Sequence, residues 1–238
     1  MNDDSLGIRI NKYISSSGYC SRREADALVE AGVVTIDDVA AVTGSRVNEG
    51  QVVKVKGEVV IPHEEDEHIY IALNKPLGIT CTSDRRDPDN IIDYLNLDDR
   101  VFTIGRLDKN SSGLILLTDN GDIVNKLLRA ENNHEKEYVV TVDKRLASDF
   151  KTKMENGLPI LGQVTLPCEV EIIGSRSFRI VLHQGLNRQI RRMCEYLGYK
   201  VVKLKRVRFL NIELGDMKPG EYRYLTVHER NGLLGKSN

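Results

Sequence analysis

One stretch of the chain places charged side chains between two apolar runs, an arrangement suited to chemistry. It begins Gly105-Arg106-Leu107-Asp108 and continues through Ser111-Ser112-Gly113 into an apolar run that ends at Leu117. Apolar runs bounded by Gly and Ser are typical of buried strands. A loop between two such strands can present a carboxylate from a rigid support. Taken alone, Asp108 is better explained as an Asx turn or as a helix cap acting through Ser112.

A second charged feature lies between Phe178 and Phe209. Nine Lys or Arg residues fall in this segment against one acid, Glu195, although the whole chain has a formal net charge of -1. Such local asymmetry predicts a surface that attracts phosphate. The alternative is an ordinary solvated surface whose charges have no common partner.

Composition is that of a globular protein, with 238 residues, 40% hydrophobic and 29% charged. No apolar stretch approaches membrane-spanning length, and the first residues lack a signal-peptide pattern, so we expect a cytoplasmic protein. Four widely spaced cysteines predict reduced thiols. The histidines show no zinc-ligand spacing, since His63 and His68 are five residues apart. We therefore expect no metal ion.

The pattern of helices and strands divides the chain into a small domain, an acidic linker and a larger domain. Residues 1–60 predict an amphipathic helix, a second helix that starts with a Ser21–Glu24 capping box, and then strands. Residues 61–68 have the composition of a linker. Residues 69–238 predict strands without regular βαβ alternation, which indicates an α+β domain with a largely antiparallel sheet. The tail from Asn231 is expected to be frayed.

Four ordered motifs in the larger domain resemble one enzyme family. The Asp108 stretch resembles G-R-L-D-x-x-[ST]-x-G-L-L, with Ser111 at the Ser/Thr position. Residues 74–78 resemble N-K-P-x-G, residues 136–138 resemble K-x-Y, and residues 187–193 resemble N-R-Q-I-R-R-M. The chain is thereby identified as similar to ribosomal RNA pseudouridine synthases of the RsuA/RluF type, and residues 134–144 are most similar to the RluF subgroup.

The small domain is similar to the S4 RNA-binding domain. This resemblance implies an S4-type helix-helix-strand module followed by a pseudouridine synthase domain with a largely antiparallel mixed sheet. S4 domains usually carry Asn-Gly after the first strand, whereas this chain has Asp37-Asp38.

The resemblance to the synthases also implies a reaction. The N1–C1′ bond of a uridine is cleaved, the base turns, and it is rejoined through C5 without a cofactor. Asp108 would act on the ribose as nucleophile or as base, Arg191 would hold it ionised, and Tyr138 would stack on the base. By its own pattern, Tyr138 is more often a core or edge aromatic, and the arginines a solvated helix face.

Further basic residues are expected to contact RNA. We assign Arg191 inward to Asp108, and Arg188 and Arg192 outward to RNA. The other residues expected on RNA are Lys12, Arg22, Arg23, Lys75 and Arg106. The substrate would be a structured stem-loop with a flipped uridine, since side chains read A-form RNA poorly. We expect a monomer without membrane contact.

The leading hypothesis is an enzyme that modifies large-subunit (23S) ribosomal RNA. The same chemistry on 16S rRNA or tRNA is an alternative. A non-catalytic S4-containing ribosome assembly factor is another, although a pure RNA binder gains nothing from an acid beside phosphate. A glycoside hydrolase would need a second carboxylate across the scissile bond, for which Asp119 and Asp122 are available.

Overall fold

The computed structural model describes residues 7–64, 67–128 and 134–235, which form two compact units. Unit 1 comprises Met1–Ile69, Asp98–Arg100 and Asp119–Gly121. Unit 2 comprises Tyr70–Leu97, Val101–Thr118 and Asp122–Asn238. Within the described ranges, no helix is both long and apolar enough to cross a bilayer.

Unit 1 contains two helices and six short strands. In chain order they are β1 (Ile8–Arg9), α1 (Ile10–Ser16), α2 (Arg22–Glu30), β2 (Val34–Ile36), β3 (Val39–Ala40), β4 (Arg46–Val47), β5 (Val53–Val55) and β6 (Glu58–Val60). Strands pair in the order β3-β2-β5-β6, and β1 pairs with β4.

Local sequence signals account for the start and end of α2. The Ser21 hydroxyl accepts from the Glu24 amide while the Glu24 carboxylate accepts from the Ser21 amide, which completes the predicted capping box. Gly32 follows the helix with φ +71°, a left-handed conformation that suits glycine. The buried faces of α1 and α2 meet the strands in one core that includes Ile14, Val29 and Val53.

Unit 2 is built around a large sheet. Its elements are β7 (Tyr70–Lys75), α3 (Ile91–Leu95), β8 (Phe102–Ile104), β9 (Ser112–Thr118), α4 (Gly121–Leu128), β10 (Lys136–Val142), α5 (Phe150–Glu155), β11 (Pro159–Ile160), β12 (Gln163–Val164), β13 (Glu169–Gly174), β14 (Ser177–Leu182), α6 (Gln189–Tyr196), β15 (Val201–Phe209), β16 (Ile212–Glu213), β17 (Tyr222–Tyr224) and α7 (Val227–Leu234).

The sheet has the strand order β13-β14-β10-β15-β9-β7-β17, with β16 beside β15 and β8 beside β9. Among the described strands, β9 and β15 form the one parallel pair, and the other pairs are antiparallel. The predicted α+β class with a largely antiparallel mixed sheet is confirmed. Two apolar clusters line this sheet, one around β10, β14, α5 and α6 and the other around β7, β9, α4 and α7.

Residues from the sequence motifs lie on one row across the middle of the sheet. Tyr138 of β10 is opposite Arg206 of β15, and Arg206 is opposite Gly113 of β9. Gly113 is in turn opposite Lys75 at the end of β7. Because neighbouring strands are about 4.8 Å apart, three motifs that are distant in sequence meet along this row.

The expectation of a frayed C-terminal tail was wrong for residues 231–235; residues 236–238 lie outside the described part. Thr226 and Glu229 form a capping box at the start of α7, and the helix extends to Leu234. Leu233 and Leu234 are buried in the cluster around β9. Two adjacent buried leucines offset the weak helix-forming tendency of Asn231 and Gly232, a tertiary effect that local composition does not reveal.

We predict that Gly113→Ala destabilises unit 2 by roughly 2–4 kcal/mol. Gly113 has φ +100°, and a Cβ there would overlap the carbonyl oxygen of Arg206 and lie 2.7 Å from its amide nitrogen. Urea unfolding measures the effect. Gly174→Ala is the control, because its Cβ would lie in ordinary contact, 3.7 Å from Ser177. Equal stability of the two variants would contradict the close approach of β9 and β15.

We predict that Lys136 makes stability rise with pH above 8. Burial, and then the nearby Arg206 guanidinium, lowers the pKa of Lys136 to about 8. Between that pH and its unfolded pKa near 10.4, the unfolded chain binds the extra proton, so alkali favours the folded state. From pH 7 to pH 10, the free energy of unfolding of wild type should therefore rise relative to that of Lys136→Met, by at most roughly 2–3 kcal/mol because solvent screens a partly exposed group.

Unfolding by urea at several pH values checks this prediction. Lys151→Met, which removes an exposed lysine from α5, is the control for loss of one charge. Parallel stability curves for wild type and Lys136→Met would mean that the folded and unfolded states titrate alike at this position.

Candidate active site

Asp108 lies on a loop, residues 105–111, that joins β8 to β9. Leu107 is buried, and its amide donates to the Sγ of Cys81 at 3.4 Å. The Ser111 amide donates to the carbonyl of Asp108 at 2.9 Å, and Ser111 is itself buried. These contacts on either side hold the backbone of the loop at Asp108, whose side chain is 32% exposed. Arg106, on the other side of Leu107, is exposed.

Lys75 supports this loop from inside the protein, which corrects the expectation that it faces RNA. Its side chain is fully buried, and its Nζ donates to the carbonyls of Pro76 at 2.9 Å and Ile79 at 2.7 Å. The turn that Lys75 holds is tied to the Asp108 loop, because the Gly78 amide donates to the Lys109 carbonyl at 2.9 Å. Burial lowers the pKa of Lys75, and the nearby Cys81 and then Asp108 oppose that shift.

The parallel pairing of β9 with β15 explains why α6 reaches this loop. Parallel strands begin at the same edge of a sheet. The Asp108 loop precedes β9 and α6 precedes β15, so the chain brings both to that edge. Arg191 bridges the two starts: its guanidinium donates to the carbonyl of Asn110 at 2.6 Å and the hydroxyl of Ser111 at 3.2 Å, and also reaches the carbonyl of Val201 at 3.5 Å.

Two arginines at the start of α6, Arg188 and Arg191, face the carboxylate of Asp108. The Oδ2 of Asp108 lies 3.7 Å from the Nε of Arg191 and 3.8 Å from a terminal nitrogen of Arg188. Arg191 is 14% exposed and Arg188 is 47% exposed. Arg188, which we expected on the RNA, thus lies as close to Asp108 as Arg191 does. Both distances exceed a hydrogen bond, so the expected bidentate pair is not formed.

Arg191 is held in a partly dehydrated position. Its Nε is buried and has no hydrogen-bond acceptor among the described residues, with the Asp108 carboxylate 3.7 Å away. Burial and then the charge of Arg188 lower the pKa of Arg191, while Asp108 opposes the shift. An unpaired buried donor is unfavourable, so a small movement of the Asp108 loop that lets Arg191 Nε donate to the carboxylate would be favourable.

Tyr138 and Arg206 occupy the sheet row described above. Tyr138 is half-buried and packs against the apolar cluster around β10 and α6. Arg206 is 3% exposed, and its Nε donates to the carbonyl of Leu114 at 2.6 Å. Sequence reasoning did not single out Arg206, because it is one of nine basic residues in its segment and nothing local marks it as buried.

The basic segment is less free to attract phosphate than its composition indicates. Arg208 donates to Glu135 at 2.9 Å and Glu137 at 2.8 Å, and Arg179 lies 3.0 Å from Glu137. Arg192 donates to the carbonyl and the side chain of Asn187, which braces the turn before α6. Glu137 of β10 and Glu135, just before it, neutralise part of this segment, and the linear sequence does not show that pairing.

Unit 1 carries its own candidate RNA contacts. Arg22 and Arg23 are exposed in the first turn of α2, and Lys12 is half-buried on α1. Exposed guanidinium groups at a helix start are placed where they can meet phosphate oxygens.

Comparison with known proteins agrees with this architecture. Residues 69–196 match the family model for RNA pseudouridylate synthase, and residues 8–53 match the model for the S4 domain. A solved structure described as a pseudouridylate synthase aligns with a TM-score of 0.69 at 26% identity, covering 95% of this chain and 100% of that one.

Curated relatives extend the similarity over most of the chain. The dual-specificity RNA pseudouridine synthase RluF of Salmonella typhi is 55% identical over 221 residues, 93% of this chain and 76% of the relative. The ribosomal large subunit pseudouridine synthase B of Bacillus subtilis is 33% identical over 230 residues, 93% of each. Fold, motifs and sequence similarity thus agree: the chain belongs to the RNA pseudouridine synthase family, as an enzyme that acts on RNA and carries an S4 domain.

Proposed function

We propose that this enzyme isomerises a specific uridine of large-subunit (23S) ribosomal RNA, with Asp108 as the reacting carboxylate. The observation that carries this proposal is a partly exposed Asp108 that faces Arg191 of α6 at 3.7 Å and Arg188, just before α6, at 3.8 Å. A carboxylate on an anchored loop, with two guanidinium groups beside it, suits attack on a ribose or removal of its proton.

The reaction needs no co-reactant, because uridine and pseudouridine are isomers. The bond between N1 and C1′ breaks, the uracil turns, and a bond forms between C5 and C1′. The C5 carbon loses its proton, and N1 gains one. Asp108 acts as nucleophile toward the sugar or as base toward it, and either role needs the same ionised side chain in the same place.

The two arginines have different tasks in this proposal. Arg191, which donates to Asn110 and Ser111, is a positioning residue that holds the Asp108 loop against α6. Arg188 is more exposed, so it can contact a phosphate of the bound RNA while it lies beside Asp108. Arg192 and Arg106 add positive charge at the rim.

Tyr138 is proposed to stack on the flipped uracil. Its half-buried ring, backed by the apolar cluster around β10, fits a fixed platform with one accessible face. Stacking of a base on an aromatic ring contributes roughly 1–3 kcal/mol. The phenol hydroxyl of Tyr138 could also donate a proton to the base or accept one from it.

Unit 1 would supply affinity for the RNA through Lys12, Arg22 and Arg23. Attachment at a second place raises the effective concentration of the target uridine at Asp108. A stem-loop or bulge is the expected substrate, since its bases leave the stack at low cost.

The identity of the RNA is the finer part of the proposal. Similarity to a large-subunit enzyme supports 23S rRNA. Relatives named dual-specificity make tRNA, as well as 16S rRNA, an alternative to be tested beside it. A glycoside hydrolase is disfavoured, because one oxygen of Asp119 accepts from the Ile69 amide and the other faces the His63 and His68 imidazoles.

We predict that Asp108→Asn abolishes pseudouridine formation while RNA affinity is kept. The loss of turnover should be on the order of 10³-fold or more, because the amide is nearly isosteric but neither nucleophilic nor basic. The measurement is a map of pseudouridine in 23S rRNA, 16S rRNA and tRNA. It is made in cells that carry the wild-type gene, cells that carry the Asp108→Asn variant, and cells from which the gene is deleted. One 23S uridine should be modified by the wild type alone.

Asp89→Asn is the matched control, since Asp89 is a half-exposed carboxylate paired with Lys109 of the same loop at 2.7 Å. It should retain turnover. A site that persists in cells with Asp108→Asn would refute the role of Asp108. A site in tRNA or 16S rRNA with none in 23S rRNA would refute the substrate while leaving the chemistry intact.

We predict that replacing Arg191 mainly lowers kcat, whereas replacing Arg188 mainly raises KM. Arg191→Ala frees the Asp108 loop and should lower kcat on the order of 10²-fold with little change in KM. Arg191→Lys should rescue poorly, since an ammonium cannot span both loop acceptors. Arg188→Ala should mainly raise KM and reduce the salt dependence of RNA binding. Single-turnover assays check both, and the reverse pattern would exchange the two roles.

A further inference from the structure

Three metal-ligating side chains converge in unit 1, and none of them takes part in the proposed isomerisation. The Nδ1 atoms of His63 and His68 lie 3.3 and 3.2 Å from the same carboxylate oxygen, Oδ2 of Asp119. The three donor atoms all lie within 4.8 Å of one another. The His68 and Asp119 side chains are 8% and 10% exposed, whereas His63 is 41% exposed.

The distances are long for charged hydrogen bonds but suit a metal centre. An imidazolium–carboxylate bond is usually about 2.7–2.9 Å long. Ligand atoms bound at about 2.0–2.1 Å in a tetrahedral site are about 3.3–3.4 Å apart, by simple geometry from zinc bond lengths. Both nitrogen–oxygen distances are close to that tetrahedral edge. The two imidazole nitrogens lie within 4.8 Å of each other, and the His63 ring is exposed.

Neighbouring groups orient the donors. The other oxygen of Asp119 accepts from the Ile69 amide at 3.0 Å, so Oδ2 is directed toward the two imidazoles. The backbone of His63 is held by its amide, which donates to the Ser16 carbonyl at 3.0 Å. Such outer contacts fix ligand orientation at metal sites.

We propose that His63, His68 and Asp119 bind a divalent transition metal ion of the zinc type. Two imidazole nitrogens and one carboxylate oxygen favour Zn²⁺ or Co²⁺ over Mg²⁺ and Ca²⁺, which prefer all-oxygen sites. Water completes the fourth position, and exposed His63 provides the path of entry. The site is structural: it ties the segment before β7 to the residue that follows β9.

This proposal reverses the sequence-based expectation of no metal ion. His63 and His68 are five residues apart, a spacing that neither a helix nor a strand turns into a chelate. Asp119 follows 51 residues after His68, so linear spacing does not reveal the third donor.

The test uses the full-length, untagged protein after chelator treatment. Titration with Co²⁺ should give one equivalent of bound ion with the visible absorption of a low-coordinate site. Thiolate-to-cobalt absorption in the near ultraviolet should be absent, since no cysteine takes part. Zn²⁺ should displace Co²⁺ and raise the melting temperature of the protein.

Variants distinguish the site from adventitious binding. His63→Ala, His68→Ala and Asp119→Asn should each weaken Co²⁺ binding at least about tenfold. His63 is exposed, so its replacement tests the site without disturbing the core. His228→Ala, an exposed histidine of α7, should bind as the wild type does. Absence of the visible bands, or unchanged affinity in His63→Ala and Asp119→Asn, would overturn the proposal.

Discussion

The parallel contact between β9 and β15 is the interaction on which the rest of unit 2 depends. This contact joins one half of the sheet, β13-β14-β10-β15, to the other half, β9-β7-β17. Because β9 and β15 are parallel, it also brings the segments that precede these two strands to one edge of the sheet. The close approach at Gly113 and Arg206 leaves no room for a side chain. Arg191 then links the two strand starts through Asn110, Ser111 and Val201. Position of the carboxylate is therefore a consequence of sheet topology.

Much of this architecture could be predicted from the sequence, because its signals are local. The capping box at Ser21, the glycine after α2 and the apolar run from Leu114 to Leu117 each specify their own element. Helix α7 could not be predicted in this way, since its stability comes from burial of Leu233 and Leu234. The motif that contains Asp108 indicated the site only by resemblance, because an isolated Asp in a loop has several explanations.

Charge was the hardest property to predict, since it depends on partners from other strands. Lys75 and Arg206 look like surface residues in the sequence, yet both are buried and donate to backbone carbonyls. Arg208 is paired with acids of β10 and its vicinity. Some basic residues of this enzyme therefore stabilise the sheet from inside, and others lie at its surface. A count of charges in the sequence does not distinguish the two groups.

The turn before α6 contains backbone strain that its own side chains offset. Arg188 adopts the left-handed conformation with φ 51°, at a cost of roughly 1–2 kcal/mol. Hydrogen bonds among neighbouring residues offset that cost. The Gln189 side chain accepts from the Leu186 amide, and the Arg192 guanidinium donates to the carbonyl and the side chain of Asn187. These side chains all support one backbone turn, so a substitution of Asn187, Gln189 or Arg192 should also disturb the position of Arg188 beside Asp108.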